Sequence, residues 1–154
     1  AVMLFITLIF TTYLSYCNYS FEDIYIDDIV DYMLDNYDKD DIKLYVEFNN
    51  GAYAEYMGIK SYIDTRAELF LKNSNGKDDI FDESIHIFEN DKFFDYDAFV
   101  NKYGFTHILV NMYINSNFDE YLQSNDKYEV VYEQHFDDTS DSFVMRKLYA
   151  LKEG

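Results

Sequence analysis

Asp64, Arg66 and Glu68 follow one another at two-residue spacing in "YIDTRAELFL", residues 62–71. Arginine is scarce in this chain: Arg66 is one of two, the other being Arg146. A guanidinium set between carboxylates has two uses. It can act as a planar fork for a carboxylate or phosphate ligand, with Tyr53 and Glu55 contributed by the preceding "NNGAYAEY". Alternatively, Asp64, Glu68 or Glu55 neutralises it, and the pair fixes how a strand end meets the next helix. A buried bidentate pair of that kind is costly to break whatever its function. The structural reading is preferred; the set that would bind a ligand on the other reading is Asp64, Arg66, Glu68, Tyr53 and Glu55.

Other chemistry is poorly provided for. His86, His107 and His135 are widely spaced, with no HExxH or HxH, so they read as structural histidines rather than metal ligands. The calcium-loop pattern around Gly76 fits at Asn73 and Asn75 but fails at Leu71, where a hard cation needs an oxygen. There is no G-x-S-x-G elbow, no P-loop and no GxGxxG among five glycines. A single cysteine, Cys17, excludes an internal disulfide and a CxxC site. No catalytic residue, metal or cofactor is assigned. Thirty acids against twelve bases give a net charge of −18, which repels nucleic acid and anionic membrane surfaces.

The elements that must position these residues follow from periodicity. Of 154 residues, 49% are hydrophobic, enough for one domain with a sizeable core. Seventeen tyrosines and fourteen phenylalanines predict that this core is aromatic. Ser20 is placed to cap a helix over 21–36, with Ile26, Val30, Met33, Leu34 and Tyr37 on one stripe and Asp27, Asp28, Asp31 and Asp35 opposite. Residues 42–48 predict a strand. Residues 49–58 predict a short helix capped by Asn49 or Asn50 and ended by Gly58. Residues 59–64 predict a second strand, and a short helix falls within "IFDESIHIFEN". Asp95 and Gly104 bound a further helix, and "THILVNM" is a strand covered on both faces. Asn117 and Glu120 form a capping-box-like pair. "YEVVYEQHF" and "SFVMRKLYA" make an antiparallel hairpin about "DDTSD". Strands alternating with helices predict an α/β fold: a small, mainly parallel sheet with helices on both faces and a C-terminal antiparallel hairpin. The "NNGAYAEY" and "DTRAE" stretches then lie at the carboxyl ends of parallel strands, where such folds bind ligands.

Ahead of this domain stands a different kind of segment. Residues 1–21 carry no charge, and a helix of that length spans about 31 Å, close to a bilayer's hydrocarbon core. Neither an initial Met nor basic residues precede it, so it reads as the end of a transmembrane helix rather than a signal peptide. The expected division is an apolar, transmembrane-like helix over 1–19, anchored in the lipid bilayer, and a globular domain over 20–154. Between Glu22 and Asp41 there are nine acids and only Lys39 as a base, which places this flank on the extracytoplasmic side. "LSYC" (14–17) departs from a lipoprotein box at Tyr16, so Cys17 reads as an ordinary cysteine at the membrane edge.

The stretch "NNGAYAEYMGIKSYIDTRAELF", followed by "YGFTHILVNM" and "YEVVYEQHFDD", resembles the C-terminal globular domain of polytopic bacterial membrane proteins similar to the GT-C glycosyltransferases, which use lipid-linked sugar donors. Gly51, Tyr53, Gly58, Lys60, Ile63, Asp64, Arg66 and Glu68 match the pattern G-Y…G-x-K-x-x-I-D-x-R-x-E, and the likeness extends over about residues 20–150. The resemblance implies that the catalytic acid lies in an upstream loop, and that this domain shapes the acceptor side or packs on the membrane-embedded part of the same protein. The competing expectation is a singly anchored module that binds a small ligand in a strand-end cleft at Arg66.

Overall fold

The first described helix, α1 (Asp27–Asn36), buries the predicted stripe through Ile26, Val30 and Met33, with Ile29 added, and leaves its aspartates in solvent. Asp27 and Asp28 occupy its first turn, where negative charge is favoured by the helix dipole. This computed structural model describes residues 26–135 and 143–152. The apolar segment over 1–19, Ser20, Cys17 and the "DDTSD" turn lie outside the described residues. Among those described, no helix is long and apolar enough to cross a membrane.

Strand β1 (Lys43–Tyr45) is shorter than predicted, because α2 (Phe48–Tyr56) starts within the expected strand. Glu47, not Asn49 or Asn50, is the N-cap; both asparagines fall in the first turn. The predicted terminator holds. Gly58 has φ +88°, its N–H donates to Glu55 O at 3.0 Å, and Ile59 N–H donates to Ala54 O at 2.9 Å, the double bond pattern of a Schellman motif. Strand β2 (Lys60–Ser61) follows, then a 3₁₀ turn (Ala67–Leu69) and a four-residue helix, α3 (Lys72–Asn75). Helix α4 (Ile80–Phe88) is the short helix expected in its stretch and is capped by Asp79. Helix α5 (Tyr96–Tyr103) is bounded as predicted, with Asp95 accepting from Ala98 N–H at 2.9 Å and Gly104 at φ +61°.

Strand β3 (His107–Asn111) is buried along its whole length, as its apolar run predicts. Helix α6 (Ser116–Ser124) is capped at Asn115 instead of Asn117. Asn117 is diverted to the loop after α4: its N–H donates to Asn90 Oδ1 at 2.8 Å, and its Nδ2 donates to Asn90 O at 2.6 Å. Strands β4 (Tyr128–His135) and β5 (Val144–Leu151) form the predicted antiparallel hairpin.

The five strands lie in the order β2-β1-β3-β5-β4. Strand β1 is parallel to β2 and β3, whereas β5 is antiparallel to both β3 and β4. The sheet is therefore mixed, not mainly parallel. The parallel pairings are short, and the long antiparallel ladders dominate because β5 enters the sheet between β3 and β4 instead of leaving the hairpin at its edge.

Side chains alternate across this sheet and supply two cores. Tyr45, Ile108, Val110 and Tyr149 join Phe99, Phe118 and Leu122 from α5 and α6 in one. Leu44, Val46, Leu109 and Leu148 join Ile29, Val30 and Met33 of α1 in the other. Helices thus cover both faces, as expected. The first core is aromatic: Tyr45 meets Phe99, Phe105 and Phe118 edge to face at centroid distances of 5.2–5.8 Å, the arrangement aromatic quadrupoles favour.

Candidate functional site at the carboxyl edge of the sheet

Asp64 lies beyond the carboxyl end of β2 with its side chain buried, only 3% exposed, while the Arg66 side chain is 58% exposed. The backbone N–H of Arg66 donates to Asp64 Oδ1 at 2.8 Å, closing a turn within the motif itself. Arg66 Nε donates to both Asp64 oxygens at 3.0 Å, and Nη2 donates to Oδ2. Those hydrogen bonds hold the Asp64 carboxyl below its ordinary pKa, and Asp64 in turn raises the guanidinium, with smaller contributions from Glu55 and Glu68. The expected pair is real but asymmetric: the aspartate is interior and the arginine is a lid over it. The Nε–Nη2 edge that would grip a carboxylate or phosphate is filled by Asp64.

The other predicted members have separate tasks. Glu55 Oε1 accepts from the Ser61 backbone N–H at 3.0 Å, tying α2 to the edge strand β2. Tyr53 packs against the core on the α1 side. Glu68 is exposed in the 3₁₀ turn. Gly51 explains why α2 sits so close to this segment. A Cβ on it would lie 1.8 Å from the carbonyl oxygen of Ile63, the residue before Asp64.

A second group at the same edge escaped the sequence reading. Glu47 follows β1, Asn111 ends β3, Arg146 faces Asn111 from β5, and Gln134 faces Arg146 from β4. Arg146 is buried, and its Nη1 donates to Gln134 Oε1 at 2.7 Å. Burial raises the Glu47 carboxyl, opposed by the charge of Arg146 and a hydrogen bond from Asn111. This group sits where connections from β1 and β3 run to opposite sides, the usual position of a ligand crevice in α/β sheets. Here the crevice is bridged by a charge-compensated network. The available signal was an arginine inside the apolar strand "SFVMRKLYA", unusual because a guanidinium within a strand needs a buried partner.

The histidines do not converge. His107 is buried, with Nδ1 3.0 Å from Thr106 Oγ1 and its ring edge-on to Tyr37 at 4.3 Å. Burial lowers its pKa from 6.5 to about 4, so it is neutral at pH 7. His86 Nδ1 meets Asp91 Oδ2 at 3.2 Å, and His135 Nε2 lies 4.0 Å from Glu133 Oε2. Among the described residues, no three His, Cys, Asp or Glu side chains are grouped to hold a metal. A cavity of about 390 Å3 beside His107, lined also by Tyr37, Asp38 and Lys152, and one of about 250 Å3 between Lys43, Lys60 and Tyr62 both lie toward the amino end of β1, away from Arg66.

No protein-family model, curated protein or solved structure matches the chain.

Proposed function

We propose that this chain is a non-catalytic domain of a larger integral membrane protein, held on the extracytoplasmic side by its apolar first segment. In this reading it packs on the membrane-embedded part of that protein and helps shape its acceptor side, in the manner of proteins resembling GT-C glycosyltransferases. The observation that carries the proposal is the use made of the "G-Y…G-x-K-x-x-I-D-x-R-x-E" residues. Gly51 admits the Ile63 carbonyl, Gly58 ends α2, Ile63 is in the core, and Asp64 and Arg66 satisfy each other. Each of these contacts sets how α2, β2 and the following turn meet, and each supports a scaffold role for the stretch.

The coding sequence upstream of Ala1 tests the proposal. The expected result is several hundred codons of apolar spans, with an acidic residue in an early outward loop to serve as the catalytic acid. A start codon a few positions before Ala1 overturns it in favour of a singly anchored protein, and ligand binding at Arg66 then becomes the reading to pursue.

A further inference from the structure

Residues 1–21 carry no charge and join the described domain at Ile26 through four residues, 22–25. The five steps from residue 21 to Ile26, at about 3.5 Å each, reach at most about 17 Å. Ile26 and the start of α1 stand at a definite edge of the sheet. Asp28 accepts from Tyr132 Oη at 3.0 Å and from Gln134 Nε2 at 2.8 Å, at the end of β4. That end of β4 lies beside the start of β5, which in turn lies beside the end of β3. The chain therefore enters at the carboxyl edge of β1 and β3.

The same edge displays aromatic rings to solvent. Tyr113 follows β3 and is 66% exposed; Phe143 precedes β5 and is 46% exposed; their centroids are 5.0 Å apart. Phe88 ends α4 and is 61% exposed, and Phe93 follows it at 85%. Their loop is fastened to the start of α6 by Asn90, which accepts from Asn117 N–H and donates to Ser116 Oγ, and by Asn115 Nδ2 donating to Ile87 O. Lys92 Nζ stands 4.9 Å from the Phe93 ring centroid, pairing a cation with an exposed aromatic. Exposed rings gathered on one edge call for a covering surface. Tyr and other amphipathic rings are at home at headgroup level, where one end is apolar and the other wet.

We infer that the carboxyl edge of the sheet, through Phe88, Phe93, Tyr113 and Phe143, rests on the headgroup layer of a zwitterionic phospholipid bilayer. The inference rests on the membrane-tethered reading above and adds to it an orientation. A zwitterionic surface is specified because the domain's large negative charge, with Asp27 and Asp28 at this same edge, repels an anionic one.

The chain contains no tryptophan, so single substitutions act as clean fluorescent probes. The full 154-residue chain is reconstituted in phosphatidylcholine vesicles with or without brominated acyl chains. It carries Phe10→Trp, Phe88→Trp, Tyr113→Trp or Tyr56→Trp, the last at the far end of α2 and 83% exposed. The inference expects Phe88→Trp and Tyr113→Trp to lose much of their emission to brominated lipid while Tyr56→Trp keeps its own. If Phe10→Trp is quenched and the edge probes behave like Tyr56→Trp, the tether stands and the orientation is overturned. If the edge probes are quenched and Phe10→Trp is not, the edge binds lipid without the tether, and only the tethered reading fails. Loss of quenching at all positions overturns both.

Discussion

The carbonyl oxygen of Ile63 lies 1.8 Å from where a Cβ on Gly51 would be, closer than any side chain tolerates. Helix α2 and the segment that carries Asp64 are therefore in contact through backbone. Ser61 Oγ donates to the Gly51 carbonyl at 3.4 Å from the same contact. Gly51→Ala should cost about 3 kcal/mol or abolish folding, at the upper end of overpacking penalties. Gly58→Ala should cost only about 1 kcal/mol, since its Cβ meets nothing within 4 Å and only the left-handed backbone resists it. Urea unfolding of the two variants checks the ranking; equal losses would deny the close approach.

His107 should make the fold acid-sensitive. Its folded pKa, about 4, is below the ordinary 6.5, so the unfolded chain takes up this proton first as pH falls. Its contribution is whole above about pH 6.5 and drains away toward pH 4, a loss of about 3 kcal/mol for a shift of this size. His107→Phe keeps an aromatic edge against Tyr37 and removes the titration. The variant should show a flatter stability profile between pH 6.5 and 4; an unchanged slope would place the acid sensitivity elsewhere.

Asp119 is the anchor of the aromatic core's polar side. Buried in α6, it accepts from Tyr149 Oη at 2.5 Å, Lys147 Nζ at 3.1 Å and Gln123 Nε2 at 2.6 Å. Asp119→Ala strands the buried Tyr149 hydroxyl and a partly buried ammonium and should cost about 3 kcal/mol. Asp119→Asn retains an oxygen acceptor and should cost less. Denaturant titration of both variants measures the difference, and a mild alanine effect would mean that Lys147 reaches solvent.

What was legible beforehand was local. Asp95 and Gly104 bound α5 because a cap and a left-handed terminator act within one turn. The run "HILV" announced a strand buried on both faces. The cap at Asn117 failed for a non-local reason: Asn90, 27 positions earlier, accepts from both its backbone N–H and its Nδ2, which fixes the side chain against the loop after α4. Likewise the hairpin was evident from "YEVVYEQHF" and "SFVMRKLYA", but not which of its strands would dock on β3. That choice follows from Leu148 and Tyr149 filling opposite cores, and it turned a mainly parallel sheet into a mixed one. The carboxyl-edge network was missed for the same reason: Glu47 after β1, Asn111 in β3 and Arg146 in β5 are distant in sequence.

Arg66 carries the central claim, that "DTRAE" locks a strand end instead of holding a ligand. Its guanidinium keeps Asp64 ionised below the ordinary carboxylate range, so the stability this provides is present above about pH 4 and is lost as pH falls through the depressed folded value. The direct measurement is thermal unfolding of the full chain and its Arg66→Ala variant across pH 2–7, a range chosen to span that loss. The account predicts a lower midpoint at neutral pH, because buried Asp64 loses its counter-charge, and a difference from the parent chain that shrinks as pH falls and Asp64 takes up its proton. A midpoint and acid limb identical to those of the parent chain would contradict it.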